Sequence, residues 1–169
     1  MQYTTDEKRG SVKETADNSI DANVFTFDKM FYEQNLKRLR DVHHSQCLFN
    51  RQPPFAHGLH FWFDDSGILH GKFNCNENHQ GYDEMVHGGV IASIVDASMA
   101  QCLMGHGIVG FTTDLSVKYR KPVMINTHTI LTTKIEQVNC EVLYSMKCEM
   151  YQNRILVVEG TGRFYKIKK

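Results

Sequence analysis

From Val90 to Met104 the chain is apolar or small on every side of a 3.6-residue period, and Asp96 is its only charge. Two glycines, Gly88 and Gly89, stand before this run, and Gly105 and Gly107 follow it, so helix punctuation is present at both ends. A helix that lacks a polar face is enclosed by the rest of the fold rather than laid on its surface. An ionised carboxylate in such a place costs several kcal/mol unless it is paired, hydrogen-bonded or needed for chemistry.

The pattern elsewhere changes period. DKMFYEQNLKRLRDVHH, from Asp28, predicts a capped helix with Tyr32, Leu36, Leu39 and His43 on one face and charge on the other. It reads as a helix packed on the sheet surface, with a lid or partner helix as the alternative. GLHFWF (58–63) and ILHGKFNC (68–75) read as strands joined by a hairpin turn at Asp64-Asp65-Ser66-Gly67. After the central helix, FTTDLSVKYRKPV alternates: Leu115, Val117 and Tyr119 share one face, and Asp114, Ser116, Lys118 and Arg120 share the other. THTILTTKIEQV (127–138) and the alternating run from Glu141 to Met150 follow. The last strand is ILVVEGTGRFYKI, in which Gly160 and Gly162 predict a bulge or a close approach by another backbone. The expectation is four strands in hairpin succession after the helix. Strands linked by short turns argue for an antiparallel sheet, and one long apolar helix needs that sheet curled around it, so the class is α+β.

Composition narrows the reading. The 169 residues suit a single domain over 25–169, and residues 1–24, rich in charge, Thr, Ser and Asn, are expected to form a tail. That tail has no apolar core, so neither a signal peptide nor a membrane span is expected there. The central run, too, reads as too short and too punctuated to cross a bilayer. Lys plus Arg balance Asp plus Glu at 19 each, so the electrostatic footprint of a general nucleic-acid binder is missing. Five scattered cysteines with no CxxC suit free thiols in a reducing compartment, and the expected location is cytoplasmic. The best metal pairs, His57 with His60 and Cys75 with His79, fall short of the three or four compact ligands a zinc site needs, so neither metal nor cofactor is expected. Ser93 and Ser98 lie inside the helix without a nucleophile-elbow motif.

The candidate chemistry gathers at the central helix. A helix start presents backbone N–H groups without internal partners at the positive end of its dipole, and His87-Gly88-Gly89 would let a ligand oxygen approach them, as in an oxyanion site. A tight turn before the helix explains the same glycines equally well. Asp96 lies eight residues past Gly88, about 12 Å along a helix axis at 1.5 Å per residue, too far for both to act on one carbonyl in one chain. If they share a site, a second copy must run antiparallel beside the first, which is a conditional prediction of a homodimer with two shared sites. A structural carboxylate, bonded to backbone or hydroxyl groups, is the alternative for Asp96.

QGYDEMVHGGVIASIVDASM (80–99) resembles the signature of the hotdog-fold acyl-CoA thioesterases, in the phenylacetic-acid-degradation-type group and its mammalian relatives. It carries the Gln-Gly start, the His-Gly-Gly and an acidic residue nine positions after the histidine. GFTTDLSVKYRKPV resembles the following strand of that family, and the similarity extends over about residues 58–166. The resemblance implies a hotdog fold, an antiparallel sheet wrapped around one long central helix, here with an extra N-terminal helix. It implies hydrolysis of acyl-CoA thioesters, with Asp96 as general base or nucleophile, the Gly88 N–H polarising the carbonyl, His87 shaping the turn and Thr112 assisting the acid. Gln80 falls at an outer substrate-facing position, Gly89 is a second candidate donor, and Lys118, Arg120 and Lys121 are candidates for the coenzyme A phosphates. Met99, Leu103 and Met104 are either plain core or the lining of an acyl tunnel. The partners implied are acyl-CoA and a second copy of the chain, with a dimer of dimers left open. A non-catalytic acyl-CoA-binding sensor or interaction module is the alternative from another class. Two departures stand out: CLFNRQPPFAHGL replaces a Cys-rich turn followed by Asn-Pro, so Cys47 and Asn50 inherit no role, and Gly81 stands where some relatives place an Asn.

Overall fold

The structure, a computed structural model, describes residues 28–49 and 59–167. The expected tail over 1–24 lies outside the described residues, as do Asn50, the two prolines 53–54 and His57. The central helix, α2 (Gly88–Gly105), carries the predicted punctuation. His87 caps its start. Its end is a Schellman turn: Gly107 takes φ +76°, its N–H donates to Met104 O at 2.9 Å, and the Ile108 N–H donates to Leu103 O at 3.0 Å. At 18 residues α2 is long and apolar enough to cross a membrane, so the expectation that it is too short does not hold; 61% of it is buried inside the protein, as befits a core helix.

Six strands enclose it: β1 (His60–Phe63), β2 (Leu69–Phe73), β3 (Gly110–Tyr119), β4 (Thr129–Asn139), β5 (Leu143–Gln152) and β6 (Ile155–Lys166). All pairings are antiparallel, in the order β1-β2-β4-β5-β6-β3. This is the hotdog architecture of the α+β class. The expected hairpin succession of four strands is corrected. β4–β5 and β5–β6 are hairpins, but β3 does not pair with β4; it crosses to the far edge and pairs with β6. The connection explains why. After Tyr119 the chain is drawn away: Val123 O accepts from the Val86 N–H at 2.8 Å, and the Asn126 N–H donates to Cys75 O at 2.7 Å, which ties residues 120–128 across the entrance of α2. β4 therefore starts beside β2.

The inner sheet face and α2 form one core in which Phe63, Leu69, Met99, Leu103, Leu131, Met146, Met150 and Phe164 are fully enclosed, each burial being worth about 1.5–3 kcal/mol. Met99, Leu103 and Met104 belong to this core. Along β5 the alternation is kept without exception: Tyr144, Met146, Cys148, Met150 and Gln152 are buried. Gly160 and Gly162 are sites of close approach, by side chains of α2 and, at Gly162, by backbone as well: a Cβ at Gly160 would lie 2.5 Å from Val95 Cγ1, and one at Gly162 would lie 2.9 Å from Met99 Sδ and 3.2 Å from Asp114 O. Their lack of side chains lets α2 settle onto the sheet.

The N-terminal helix, α1 (Lys29–His43), begins where predicted, with Asp28 Oδ1 accepting from the Phe31 N–H at 3.0 Å. Tyr32, Leu36 and Leu39 are buried, but His43 is exposed, and α1 packs on α2 and β1 rather than on the sheet surface. The Tyr32 ring lies 4.9 Å from that of His106, and the Arg40 guanidinium donates twice to the buried Gln101 Oε1, at 3.1 and 2.8 Å. The two helices therefore run antiparallel. A 3-10 turn (Glu77–His79) before the Gln80 segment was not foreseen; Asn76 caps it.

Candidate active site

The entrance of α2 is built by a short loop held at both ends. The His87 N–H donates to His79 O at 2.8 Å, and the Gly81 N–H donates to Met85 O at 2.9 Å. Gly81 has to be small, because a Cβ there would lie 3.0 Å from His87 Cα. Gln80 closes the same turn: its Oε1 accepts from the Glu84 N–H at 3.3 Å. His87 Nδ1 accepts from the Gly89 N–H at 3.0 Å, so a neutral His87 carries its proton on Nε2. The Gly89 donor is thereby engaged within the turn, whereas the Gly88 N–H has no acceptor among the described residues. Tyr119, from the end of β3, donates its hydroxyl to Gly88 O at 2.8 Å and pins the helix start to the sheet edge.

Two turns further along, Asp96 is half-buried, and Thr112 Oγ1 donates to its Oδ1 at 2.6 Å. Strict alternation along β3 would put Thr112 on the outer face with Asp114 and Ser116. A β-bulge prevents this: Thr112 is opposite Phe164 and Asp114 opposite Arg163, so Thr113 is the extra residue, its hydroxyl donating to Arg163 O at 3.0 Å. The shift turns Thr112 inward, onto the face of Leu115, Val117 and Tyr119, where α2 lies. Asp96 Oδ2 accepts from none of the described residues. His44, the C-cap of α1, is close enough to feel this carboxylate. Burial, with His43 and Arg40, lowers the His44 pKa, and the Asp96 charge opposes them.

The residues singled out by sequence thus fall into two groups on one chain. His87, Gly88, Gly89 and Gln80 meet at the helix entrance, and Asp96 meets Thr112 about 12 Å along the axis at 1.5 Å per residue. Lys118 and Lys121 are exposed near the first group, but Arg120 is committed to Glu159 Oε2, with contacts of 3.2 and 2.8 Å. Sequence reasoning missed the roles of Tyr119, His44 and the bulge. Tyr119 was placed on the correct face by its alternation, but the other two depend on packing. Ser93 and Ser98 are engaged with Gly89 O and Val95 O on α2 itself, at 2.8 and 2.7 Å. Among the described residues no group of three or more His, Cys, Asp or Glu is arranged to hold a metal ion.

With fold and site in place, relatives can be compared. Residues 84–152, from the entrance of α2 to the end of β5, match the model of the thioesterase superfamily. The acyl-coenzyme A thioesterase THEM4 of Mus musculus is 28% identical over 150 residues, covering 83% of this chain and 62% of the mouse protein. This chain therefore spans less than two thirds of that relative's length. The PaaI protein from the Escherichia coli phenylacetic acid degradation operon superposes with a TM-score of 0.69 at 13% identity, covering 83% of this chain and 96% of that one. A hypothetical thioesterase protein from Streptococcus pneumoniae, solved with coenzyme A, gives 0.62 at 14% identity, over 67% and 91% of the two chains. The chain thus has the hotdog fold of these structures, and its residues 84–152 are similar to the thioesterase superfamily.

Proposed function

We propose that the protein hydrolyses acyl-CoA thioesters to a carboxylic acid and free coenzyme A. The observation that carries this is the 2.6 Å bond from Thr112 to Asp96, which orients a half-buried carboxylate and leaves its other oxygen open. The Streptococcus pneumoniae relative supports the pairing. Its alanine variants replace an aspartate and a threonine sixteen residues apart, the same spacing as Asp96 and Thr112, and that protein was solved with coenzyme A.

The Gly88 N–H, free at the positive end of α2, would receive the carbonyl oxygen as it becomes an oxyanion, a contribution of about 3 kcal/mol. Engagement of the Gly89 N–H by His87 makes Gly88 the principal donor. In the general-base route Asp96 takes a proton from water as the water oxygen bonds to the carbonyl carbon. The C–S bond then breaks, and the coenzyme A sulfur takes up the proton. In the nucleophilic route Asp96 itself bonds to that carbon, expels the thiolate and leaves an anhydride for water to open. Labelled water in a single turnover marks Asp96 only in the second route. Lys118 and Lys121 are the phosphate candidates with free heads; Arg120 would first have to leave Glu159.

Both routes need Asp96 and Gly88 at one carbonyl, so the functional unit is a homodimer in which Asp96 of one copy meets Gly88 of the other. The edge strand β3 supports this: it is ten residues long, pairs on one side only, and exposes Phe111 and Tyr119. The five cysteines, none in a disulfide, fit a reducing, cytoplasmic setting. Thiol release over short, long and aromatic acyl-CoAs tests the reading. Asp96→Asn is expected to lower kcat at least about a hundredfold while the fold is retained. Wild-type rates in Asp96→Asn would overturn the assignment. Thermal protection by acyl-CoA without thiol release would instead mark a binding module.

A further inference from the structure

A groove of about 480 Å³ lies between the second half of α1, the turn after α2 and the end of β6, a size typical of small-molecule sites. Its floor is apolar, made by Leu39, Val109 and Ile167; the Ile167 N–H donates to Val109 O at 2.8 Å, and Ile167 is 47% exposed. Its rim is basic, made by Arg38 and His43 from α1 and Lys166 from β6. Among the described residues no carboxylate lines the groove, and none of the three forms an ion pair. Arg38 donates to Asn35 Oδ1 at 3.3 Å, a neutral partner. Elsewhere on α1 and on the sheet, cations do find carboxylates: Lys29 meets Glu33 at 3.5 Å and Lys147 meets Glu149 at 2.8 Å. Basic groups from two elements that converge over an apolar floor repel one another until an anion joins them.

We propose that this groove binds a single-chain amphiphile with an anionic head, its alkyl chain on Leu39, Val109 and Ile167 and its head among Arg38, His43 and Lys166. A carboxylate or a phosphate monoester would supply the same head chemistry. None of the residues that line the groove is among those assigned to the thioester site. Lys166 is opposite Gly110, two residues before Thr112, about 7 Å along β3 at 3.4 Å per residue. The proposal requires no catalysis, so it stands or falls separately from the proposed hydrolysis.

Calorimetric titration of the full chain with decanoate, decyl phosphate, decanol and inorganic phosphate tests it. Decanoate and decyl phosphate are expected to bind, decanol at least tenfold more weakly, and inorganic phosphate with no measurable heat. The relative affinity of the two anionic amphiphiles tells which head the rim prefers. The Arg38→Glu/Lys166→Glu chain is expected to lose at least tenfold in affinity for both. It should keep its thermal midpoint, because Arg38 is exposed and Lys166 half-buried, and it should keep thiol release from acetyl-CoA within twofold. Asp96→Asn should bind decanoate as the wild type does. Decanol binding as tightly as decanoate, or affinity within twofold in the charge-reversed chain, would overturn the proposal.

Discussion

The two ends of α2 both carry glycine, and they use it for opposite purposes. At the exit, a Cβ on Gly105 would lie 2.0 Å from Phe63 Cζ, inside the ring of a fully buried phenylalanine. At the entrance, a Cβ on Gly88 would meet nothing closer than the Tyr119 hydroxyl at 3.4 Å, an ordinary contact. Neither residue has a positive φ, so backbone strain does not distinguish them. Space does. The exit glycine is small because the core presses on it, and the entrance glycine is small where nothing presses. A small residue that packing does not require is one whose space is available to a ligand. This favours the oxyanion reading of Gly88 over the tight-turn reading, and it assigns Gly105 to the fold alone.

The sharpest way to break this contrast is Gly105→Ala. Overpacking against Phe63 is expected to cost about 3 kcal/mol, read as a lowered urea midpoint, and the surviving folded fraction should keep its kcat. A stability loss within 0.5 kcal/mol, about the scatter of harmless substitutions, would show that Phe63 simply moves aside. Gly88→Ala should do the reverse. Alanine is the better helix former by about 1 kcal/mol, so stability should hold or rise slightly, while a methyl group beside the N–H crowds the ligand oxygen and lowers kcat about tenfold or more. Full activity in Gly88→Ala would return the entrance glycine to a turn role.

The smallest effect concerns how Phe63 is held. The next residue, Asp64, ties the β1–β2 turn: its Oδ1 accepts from the Ser66 N–H at 2.9 Å, the Ser66 hydroxyl at 2.6 Å and the Ile68 N–H at 3.0 Å, and its Oδ2 lies 2.8 Å from His70 Nε2. Burial pushes the Asp64 carboxyl up, but these bonds outweigh it and hold the group at about 2, below its ordinary 3.8. A depressed carboxylate stabilises the fold fully above its unfolded pKa, and the contribution is lost as pH falls from about 3.8 through about 2. Because the side chain is 38% exposed, the effect should stay below about 1 kcal/mol. Urea midpoints of wild type and Asp64→Asn should therefore converge between pH 5 and pH 2. A constant gap across that range would show that the turn does not depend on the charge.

Much of the fold was legible because it rests on local periodicity. The apolar run with its glycines gave α2, and the alternating runs in close succession gave the two hairpins among β4, β5 and β6. Asp28 gave the start of α1. The position of β3 was not legible. Adjacency in sequence suggested a hairpin with β4, and only the bonds from residues 123 and 126 to the α2 entrance and to Cys75 carry the chain across. Likewise the face of α1 could be read, but its partner could not, because an amphipathic stripe fits a helix as readily as a sheet.

For the site, the sequence by itself determined which residues are candidates for the chemistry and how far apart two of them must be. A charge alone in an apolar helix and a fixed rise per residue are local facts, and they set Asp96 about 12 Å from Gly88. Only the tertiary structure decided that Thr112 reaches Asp96. By period-2 counting Thr112 belongs on the outer face, and the extra residue at Thr113 turns it inward. A bulge is created by the register between two strands, β3 and β6, that are more than thirty residues apart in the chain, and no pattern within either strand alone encodes it.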